Sequence, residues 1–421
     1  MKSSLNIWIV NQFASTPSIP GKQRDYQYAK AFSLEGHHVT LWRSSYSHWS
    51  REEIIKNERP YVIDTDGNLN IIHLKTKPPY YKNDHRRFLN MLSFAYALEK
   101  TSRTVSPPPH VIIAAYPSPF AAFAACRIST RFGAKFILEI GDLWPQVWIE
   151  RKAFSRYHPF IVILYALEKY LYKRTEVFVS SLPFADDYLK EKVVKSYKFL
   201  WIPNGINLDD FKLNGMQSNQ CDNVNAILKA LSDEKQKGNM NVIYVGGIGV
   251  GNRVDCIVQA AKILKDLGES KISFHIIGDG HSKDMIIKYV SDNKLNSVKM
   301  WPPIIRKSVP NILKHADVGV ICLHNNPIYR YGVNLNKIYD YMAAGLPIIF
   351  SANVRNNLVD LYKAGITIPP SDPDKIASAL QKFLSMPSEE RTSMGARGCD
   401  GVAKDYDIKK LAKKYLELIE G

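Results

Sequence analysis

The sequence predicts an α/β protein of two Rossmann-like domains that face a cleft, and three observations support this fold class. The chain has 421 residues, more than the about 250 to 300 at which one hydrophobic core stops growing. Short apolar runs alternate with helical patterns along the chain, which is typical of βαβ units with parallel sheets. The alternation pauses at the turn-forming run Ile202–Ile206 and then resumes, so a domain boundary is expected there.

Each predicted strand of the first domain is a short apolar run, and each predicted helix has apolar residues at helical spacing. The first strand is Asn6–Val10, and the first helix, Tyr26–Glu35, is followed by Gly36, a residue typical of a helix C-cap. Further strands are predicted at Val39–Trp42, Val111–Ala115, Phe136–Ile140 and Val177–Ser180, and further helices at Ala121–Phe132, Pro159–Lys173 and Phe184–Glu191.

The second domain repeats the pattern from Asn241–Val245 onwards, after a polar segment, Asn214–Asn223, that we assign to the interdomain linker. We expect the first domain at residues 1–205 and the second at 206–405, with a C-terminal helix at 406–421 that packs back on the first. The other strands are predicted at Ile272–Ile277, Val298–Trp301, Val318–Cys322, Pro347–Phe350 and Gly365–Ile368, and the helices at Asp255–Leu267, Lys283–Asn293, Val309–His315, Leu335–Ala344 and Ile408–Glu420.

Charge and cysteine content narrow the class of protein. The 56 Lys and Arg against 40 Asp and Glu give a formal net charge of +16, so we expect an anionic partner: nucleic acid, a membrane surface or a phosphorylated small molecule. The five cysteines are scattered without a CxxC pair, which favours a reducing compartment. The longest apolar run, Phe160–Leu167, is far shorter than the about 20 residues that span a bilayer, so a soluble or peripheral protein is expected.

A glycine-rich segment, Tyr244–Val254, runs from a predicted strand into a predicted helix. Its glycines allow a ligand to approach the backbone, and the helix N-terminus favours a phosphate. Their spacing does not give the dinucleotide pattern GxGxxG. Arg253 could pair with a diphosphate, and a tight turn beside a solvated arginine remains the alternative.

A second segment, Asn336–Pro347, places Asn336 and Asp340 four residues apart on a predicted helix, with Lys337 beside Asn336. A carboxylate and an ammonium at the start of a helix that faces a cleft suit a sugar hydroxyl and a phosphate. An ordinary surface pair between Lys337 and Asp340 is the alternative.

Two further segments lie where predicted strands of the first domain end. Asp142 and Trp144 follow the strand that ends at Ile140, and they suit either a ligand site or a helix cap with core packing. The loop Ser18–Asp25 carries Gly21, Lys22 and Arg24, which could meet an anionic substrate or form an ordinary solvated loop. The chain has no HExxH, GxSxG, phosphate-loop or kinase signature, so those chemistries are excluded.

In this order, and together with Pro203–Gly205 and Gly278–Gly280, the segments resemble the retaining nucleotide-sugar glycosyltransferases of family four, which have the GT-B fold. This chain's forms of two family motifs, Asp142–Pro145 and Asn336–Pro347, look closest to those of the bacterial surface-polysaccharide subgroup typified by WbuB. The resemblance implies a transferase that moves a sugar, an N-acetylated or deoxy hexose, from a UDP donor to a glycan or lipid-linked acceptor in O-antigen or capsule synthesis.

The resemblance also assigns roles to residues, and several family positions are changed in this chain. Asp340 matches the second family glutamate, near the donor ribose, whereas Gly332 stands where the first is expected, so Asn334 or a backbone amide replaces its contacts. The basic residues that bind the diphosphate would fall at Gly247 and Asn252, and Arg253 with Lys337 are our substitutes for them. Gly141 replaces a histidine that many members carry.

The resulting candidate residues fall into three groups. The catalytic candidates are Arg253, Lys337 and Asp142; the donor-binding candidates are Gly247, Gly249, Gly251, Asn252, Ile304, Ile305, Asn334, Asn336 and Asp340; and the acceptor-binding candidates are Gly21, Lys22, Arg24 and Trp144. In the mechanism that the resemblance implies, the leaving diphosphate accepts the acceptor's proton, so neither a nucleophile from the protein nor a metal or other cofactor is expected.

The partners and the cellular location are predicted from charged and aromatic stretches together with the resemblance. Two basic and aromatic stretches, Tyr80–Lys100 and Arg151–Arg174, suit contact with an anionic membrane, and core helices with solvated lysines are the alternative. We expect no nucleic-acid partner, because no known nucleic-acid module is present. The expected location is cytoplasmic, peripheral on the inner face of the cell membrane. A sugar-nucleotide epimerase of the same architecture and a non-catalytic nucleotide-sugar-binding relative remain alternatives.

Overall fold

The computed structural model describes residues 4–19, 21–82, 84–116, 118–212 and 222–421. The chain divides into two compact units. Unit 1 contains Met1–Asn204, Arg330–Asn334 and Ile408–Gly421, and unit 2 contains Gly205–Tyr329 and Leu335–Asp407.

The secondary structure of the described residues alternates between strands and helices in both units. The strands are β1 (Asn6–Val10), β2 (His38–Ser44), β3 (Tyr61–Asp66), β4 (Leu69–Leu74), β5 (Val111–Tyr116), β6 (Lys135–Ile140), β7 (Val177–Ser180), β8 (Lys198–Trp201), β9 (Met240–Val245), β10 (Ile272–Ile277), β11 (Val298–Trp301), β12 (Val318–Cys322), β13 (Ile348–Ser351) and β14 (Gly365–Ile368). The helices are α1 (Arg24–Leu34), α2 (His85–Thr101), α3 (Pro119–Phe132), α4 (Gln146–Glu150), α5 (Pro159–Arg174), α6 (Ala185–Lys192), α7 (Asp209–Lys212), α8 (Asp222–Gln236), α9 (Val254–Asp266), α10 (Lys283–Asp292), α11 (Val309–Leu313), α12 (Asn336–Ala343), α13 (Leu358–Leu361), α14 (Pro373–Ser385), α15 (Ser388–Asp405) and α16 (Ile408–Glu420).

The sheet of unit 1 has the strand order β3-β4-β2-β1-β5-β6-β7-β8 in the described residues. Its strands are parallel apart from β3, which pairs antiparallel with β4 at one edge. Apolar side chains of β1, β2 and β5 pack with α1 on one face, and α16 completes this core with Leu411, Tyr415 and Ile419. The last helix of the chain is therefore part of the first sheet's core.

The sheet of unit 2 has the order β11-β10-β9-β12-β13-β14 in the described residues, and all of its pairs are parallel. Counted from β9, this is the order 3-2-1-4-5-6 of a Rossmann fold, in which ligands bind outside the carboxyl ends of the strands beside the point where the order reverses. That point lies between β9 and β12. The prediction of an α/β protein with two Rossmann-like sheets is confirmed.

Several elements were not predicted from the sequence. Strand β3 is exposed along most of its length and therefore lacks an apolar run, and the predictions also omitted β4, β8, α2, α8, α14 and α15. Helix α15 contains Gly395, Gly398 and Gly401, which lower its helix propensity. The glycine at 395 is needed for packing, since a Cβ there would lie 1.8 Å from the carbonyl oxygen of Gly345.

The linker and boundary predictions differ from the structure in detail. The segment 214–221 of the predicted linker lies outside the described residues, and α8 begins at Asp222 within unit 2. The division falls after Asn204, and the short segment Arg330–Asn334 belongs to unit 1, although it lies inside the span predicted for the second domain.

Candidate functional site

The loop after β9 is held against the loop after β10, both at the carboxyl edge of the unit 2 sheet. Ile248 N donates to the carbonyl oxygen of Asp279 at 2.8 Å. The two glycines around Asp279 make this approach possible: a Cβ at Gly278 would lie 1.9 Å from the oxygen of Gly246, and one at Gly280 would lie 2.2 Å from that of Ile248. Their positive φ angles, 149° and 154°, also favour glycine. The Gly-Asp-Gly motif thus supports the glycine-rich loop.

The glycine-rich loop itself continues into a single turn of 3-10 helix at Val250–Asn252. A Cβ at Gly249 would lie 3.0 Å from the His281 ring, and the carbonyl oxygen of Gly251 accepts from His324 N at 3.1 Å. Loops from three neighbouring strands, β9, β10 and β12, therefore meet at this edge.

Lys337, at the start of α12, is the cation that lies against this loop. Its Nζ donates to Tyr244 Oη at 2.8 Å and to Asn252 Oδ1 at 3.2 Å, and it lies 4.3 Å from the centre of the Tyr244 ring. Tyr244 Oη and Asn252 Nδ2 both donate to the carbonyl oxygen of Gly247, at 2.7 and 2.8 Å. Lys337, Asn252 and Gly247, which the sequence proposed separately, thus form one hydrogen-bonded group around Tyr244.

The contacts of the Lys337 ammonium group are electrically neutral. Burial lowers the pKa of Lys337 to about 7, and the charges of Cys322 and Asp340 raise it again only in part. A buried ammonium with neutral contacts gains energy from a bound anion, because the anion replaces the solvation that burial removed. The group is therefore suited to a phosphate.

Arg253, the other predicted cation, is held by its own neighbour. It has a left-handed backbone, with φ 40° and ψ 44°. Its Nε lies 3.1 Å from both carboxylate oxygens of Asp255, and its Nη2 lies 2.8 Å from one of them. The hydrogen bonds to Asp255 raise the pKa of Arg253. This guanidinium has an internal counter-ion, whereas the Lys337 ammonium group donates to a phenol and an amide oxygen.

Asp340 forms a bidentate ion pair with Arg306, which sequence reasoning missed. Both guanidinium nitrogens Nη1 and Nη2 of Arg306 donate to the carboxylate, and Asp340 is only 4% exposed. Burial lowers the pKa of Arg306, but the charge and hydrogen bonds of Asp340, together with the charge of Asp210, outweigh burial and raise the pKa. Arg306 directly follows Ile304 and Ile305 at the carboxyl end of β11, a position that could have identified it.

Two of the three asparagines predicted to bind the donor, Asn334 and Asn336, belong to different units. Asn336 is the first residue of α12 in unit 2, whereas Asn334 lies in the unit 1 segment, where its Oδ1 accepts from the backbone N of Asn204 at 3.2 Å. Gly332 lies in the same segment with φ 91°. A glutamate at this position would adopt a strained backbone, so the structure around 332 is built for glycine.

Arg24, predicted to bind the acceptor, is part of a buried network in unit 1. Its Nε lies 2.7 Å from Glu139 Oε1, and its Nη1 donates to the carbonyl oxygen of Pro203. Tyr28 donates to the same carbonyl at 2.7 Å, and Tyr415 of α16 donates to Glu139 Oε2 at 2.9 Å. With its side chain 10% exposed, Arg24 ties α1, β6 and α16 together, and an acceptor role for it stays a prediction that this geometry does not favour.

The other predicted acceptor residues lie in loops at the carboxyl edge of the unit 1 sheet. Lys22 and Gly21 are exposed, and Asp142 is half-buried after β6. Trp144 is only 5% exposed and packs edge-on against Trp148, with ring centres 5.0 Å apart. The Trp144 side chain is therefore part of the packed interior below these loops.

Two general expectations concern metals and membranes. Within the part of the chain that the structure describes, no group of three or more His, Cys, Asp or Glu side chains could hold a metal ion. The same described residues include no helix with the length and apolar character needed to cross a bilayer.

The sequence matches two family models, which cover successive parts of the chain. Glycosyltransferase Family 4 matches residues 26–210, and Glycosyl transferases group 1 matches residues 239–386. Comparison with curated proteins gives no match.

Solved structures resemble the chain along almost its whole length. Sucrose-phosphate synthase from Thermosynechococcus elongatus has 18% identity and a TM-score of 0.75, with 98% of each chain covered. HepE of Anabaena in complex with UDP-glucose has 11% identity and a TM-score of 0.67, with 99% of each chain covered. WaaG, a glycosyltransferase involved in lipopolysaccharide biosynthesis, has 15% identity and a TM-score of 0.69, with coverage of 99% and 100%.

These structural similarities confirm the expected GT-B fold, and the family models confirm the predicted enzyme class. The chain belongs to the group 1, family 4 glycosyltransferases, enzymes that transfer sugars from nucleotide donors.

Proposed function

We propose that this enzyme transfers an N-acetylated or deoxy hexose from UDP to a glycan or lipid-linked acceptor in the synthesis of a bacterial surface polysaccharide, O-antigen or capsule. The observation that carries the proposal is the buried Lys337 ammonium, with its neutral contacts, at the strand edge where nucleotides bind in Rossmann folds. HepE has been solved with UDP-glucose, and WaaG acts in lipopolysaccharide synthesis. Both facts support this donor and this pathway, as does the motif resemblance to the WbuB-like subgroup.

The donor diphosphate lies, in this proposal, against Lys337 and the backbone from Gly247 to Asn252. Lys337 stabilises the negative charge that grows on the diphosphate as the sugar departs. Arg253 is the second proposed cation, and to reach a phosphate it has to share its guanidinium with Asp255. We therefore expect Lys337 to contribute more than Arg253.

The nucleoside is placed by the loop after β11 and by α12. The backbone of Ile304 and Ile305 forms hydrogen bonds with the edge of the uracil. At the ribose hydroxyls, the Asp340 carboxylate accepts hydrogen bonds, and the Asn336 amide accepts or donates them. Arg306 fixes the orientation of the Asp340 carboxylate by its two parallel hydrogen bonds, while the carboxylate keeps lone pairs for a ribose hydroxyl.

The chemical step that we propose retains the configuration of the sugar. The bond between the anomeric carbon and the diphosphate oxygen breaks, and the acceptor oxygen bonds to the same face of that carbon. The departing diphosphate takes the proton of the acceptor hydroxyl, so the protein provides positioning and electrostatic stabilisation. Asp142, at the carboxyl end of β6, is the proposed hydrogen-bond acceptor for that hydroxyl, and no metal takes part.

A surface formed by α2 and α5 is the proposed contact with the inner face of the cell membrane. The two helices are joined by Phe88 and Phe160, whose ring centres are 4.1 Å apart. The apolar side chains exposed on this α2–α5 surface are Leu89, Leu92, Tyr96, Tyr157, Val162 and Ile163, each 47% to 81% exposed. Basic side chains on the same helices, Arg86, Lys100, Lys169 and Lys173, are also exposed, and this combination suits an anionic leaflet.

Vesicle sedimentation tests the membrane proposal. We expect the protein to sediment with phosphatidylglycerol vesicles and to remain in solution with phosphatidylcholine vesicles. The double variant Leu89→Asp, Leu92→Asp should lose most of this binding, while Leu267→Asp, which changes a more exposed leucine of unit 2, should keep it. Equal binding of the two variants would count against the α2–α5 surface.

The donor and the acceptor are tested in sequence. A thermal-shift panel of UDP-, GDP- and dTDP-sugars should show the largest stabilisation with a UDP-sugar. UDP release should then accelerate when a lipid-diphosphate-linked acceptor is added. A larger shift with a GDP- or dTDP-sugar would change the donor, and isomerisation of the UDP-sugar without any acceptor would replace the transferase proposal with an epimerase.

A further inference from the structure

Cations and aromatic rings of unit 1 meet at the carboxyl edge of its sheet, in a cluster that the donor site does not use. They come from the loops after β1, β2, β4 and β6 and from the first turn of α2. The members of this basic-aromatic cluster are Phe13, Lys22, His48, Trp49, Arg51, Tyr80, Arg87 and Trp144. The carboxyl edge of a parallel sheet is the place where such folds bind ligands.

His48 is neutral and accepts hydrogen bonds at Nδ1, which places its ring proton on Nε2. Its Nδ1 lies 2.8 Å from Tyr80 Oη and 3.2 Å from Arg51 Nη1. A guanidinium can only donate, so Nδ1 accepts and the neutral ring carries its proton on Nε2. Burial, followed by the positive charges of Arg87, Arg51 and Lys22, lowers the pKa of His48 to about 3, which keeps the ring neutral at physiological pH.

The two arginines are held by aromatic faces. The Arg87 guanidinium carbon lies 5.3 Å from the centre of the Phe13 ring and 5.7 Å from that of Trp144, and the Arg51 guanidinium carbon lies 5.3 Å from the Tyr80 ring centre. Burial and the nearby charge of Arg51 both lower the pKa of Arg87. Bringing these like charges together costs free energy, and a bound anion offsets that cost.

The loop that carries Lys22 is fixed beside the cluster by Gly21. A Cβ at Gly21 would lie 2.1 Å from Trp49 Cδ1, and φ is 131°, so this position requires glycine. The carbonyl oxygen of Lys22 accepts from Ser15 N at 3.1 Å. The exposed Lys22 ammonium is therefore placed at the rim of the cluster, where its charge reaches His48.

We propose that the basic-aromatic cluster binds a phosphate or diphosphate group of the acceptor. Lys22, Arg51, Arg87 and His48 Nε2 all present hydrogen-bond donors, three of them charged, which matches the acceptor-only oxygens of a phosphate. The proposal rests on the proposed function, in which unit 1 receives the acceptor, and it narrows the acceptor class to phosphorylated molecules. Two sources fit the chemistry: a soluble sugar phosphate and a lipid-linked sugar diphosphate.

Calorimetric titration with inorganic pyrophosphate tests the anion site directly. The full chain is first saturated with UDP, which occupies the proposed donor site. We expect wild-type protein to bind pyrophosphate, and Arg51→Gln and Lys22→Gln each to weaken this binding about ten-fold or more while leaving UDP affinity unchanged. The control is Arg103→Gln, which also removes one positive charge. Residue 103 lies just beyond the C-terminal end of α2, about 24 Å from Arg87 along the helix axis. Absence of pyrophosphate binding, or equal affinity in Arg51→Gln, Lys22→Gln and Arg103→Gln, would overturn the proposal.

Kinetics then distinguish the two sources and separate this proposal from the transferase function. In UDP-release assays, Arg51→Gln should raise the KM of the true acceptor about ten-fold and leave the KM of the donor unchanged, either with glucose 1-phosphate or with a polyprenyl-diphosphate-linked sugar. If transfer occurs but KM is unchanged in Arg51→Gln, the anion site is wrong and the transferase stands. If the variants lose pyrophosphate binding but no acceptor supports transfer, the anion site stands and the proposed function fails.

Discussion

Cations lie at the carboxyl edges of both sheets, but their neighbours differ between the two units. In unit 2, Arg253 and Arg306 form ion pairs with Asp255 and Asp340. In unit 1, Arg51 and Arg87 lie over aromatic rings and lower the pKa of the neighbouring His48. An internal counter-ion neutralises a guanidinium, whereas contact with an aromatic ring does not change its net charge.

Lys337 in unit 2 contacts the neutral groups Tyr244 Oη and Asn252 Oδ1, and its substitution should give the largest effect. We expect Lys337→Met to lower kcat by about 100- to 1,000-fold, the loss typical when one group that stabilises transition-state charge is removed. Circular dichroism should show an intact fold. A kcat within three-fold of wild type would mean that the paired arginines carry the diphosphate after all.

Breaking the paired charges should cost stability. Arg306→Gln leaves the buried Asp340 carboxylate with weaker partners, and we expect a loss of about 2–3 kcal/mol in the free energy of unfolding by urea. The loss falls at the low end for buried pairs because the Arg306 side chain is 33% exposed. The double variant Arg306→Gln, Asp340→Asn should recover part of it, and a single variant as stable as wild type would show that the pair is not structural.

The pH dependence of stability should identify Lys337 as a buried cation. Its pKa is about 7 in the folded protein against about 10.5 when unfolded, so between these values the unfolded chain binds more protons and stability rises with pH. Lys337→Met should remove this contribution. The difference in unfolding free energy, variant minus wild type, should therefore fall by about 2 kcal/mol between pH 7 and pH 9; a constant difference would contradict the lowered pKa.

Arg253 should matter less than Lys337 because its charge is already matched by Asp255. We expect Arg253→Gln to reduce kcat/KM for the donor by about three- to ten-fold, measured by UDP release. Asp255→Asn should raise kcat/KM for the donor or leave it unchanged, because it removes the carboxylate that binds the Arg253 guanidinium. A loss as large as that of Lys337→Met would show that Arg253 leaves Asp255 when the donor binds.

The smallest effect is expected where like charges approach in unit 1. Arg51→Gln should change the unfolding free energy by about 0.5 kcal/mol or less, in the stabilising direction, because it removes repulsion with Arg87. The left-handed backbone at 51, φ 62°, is equally strained with either side chain. Destabilisation beyond 1 kcal/mol would show that Arg51 serves the fold and would weaken its assignment to a ligand.

The strands of the two sheets could be predicted largely because they are buried on both faces. Asn6–Val10 was predicted with its observed bounds, and so were Val318–Cys322 and the helix Ile408–Glu420. Apolar runs identify elements that bury their side chains. The exposed strand β3 and the glycine-containing helix α15 lack that signal, since an edge strand needs no apolar face and close packing selects glycine.

The candidate site was predictable in its backbone and less so in its charges. Strand ends and glycines placed the loop at 246–252, and its position at the start of a predicted helix singled out Lys337. The sequence could not show that Arg24 forms an ion pair with Glu139, 115 residues further along the chain. Nor could it show that Asp340 forms an ion pair with Arg306, 34 residues before it. Ion pairs between distant segments depend on the packing of the chain, which local patterns do not contain.

The position of α16 has a consequence for how the protein is made. Helix α16 supplies Leu411, Tyr415 and Ile419 to the core around β1, β2 and β5, so the sheet of unit 1 lacks part of its core until α16 has left the ribosome. During most of synthesis, the face of α1 that α16 covers stays open to solvent or to chaperones. A nonsense codon that removes α16 would therefore damage a part of the protein that was translated much earlier.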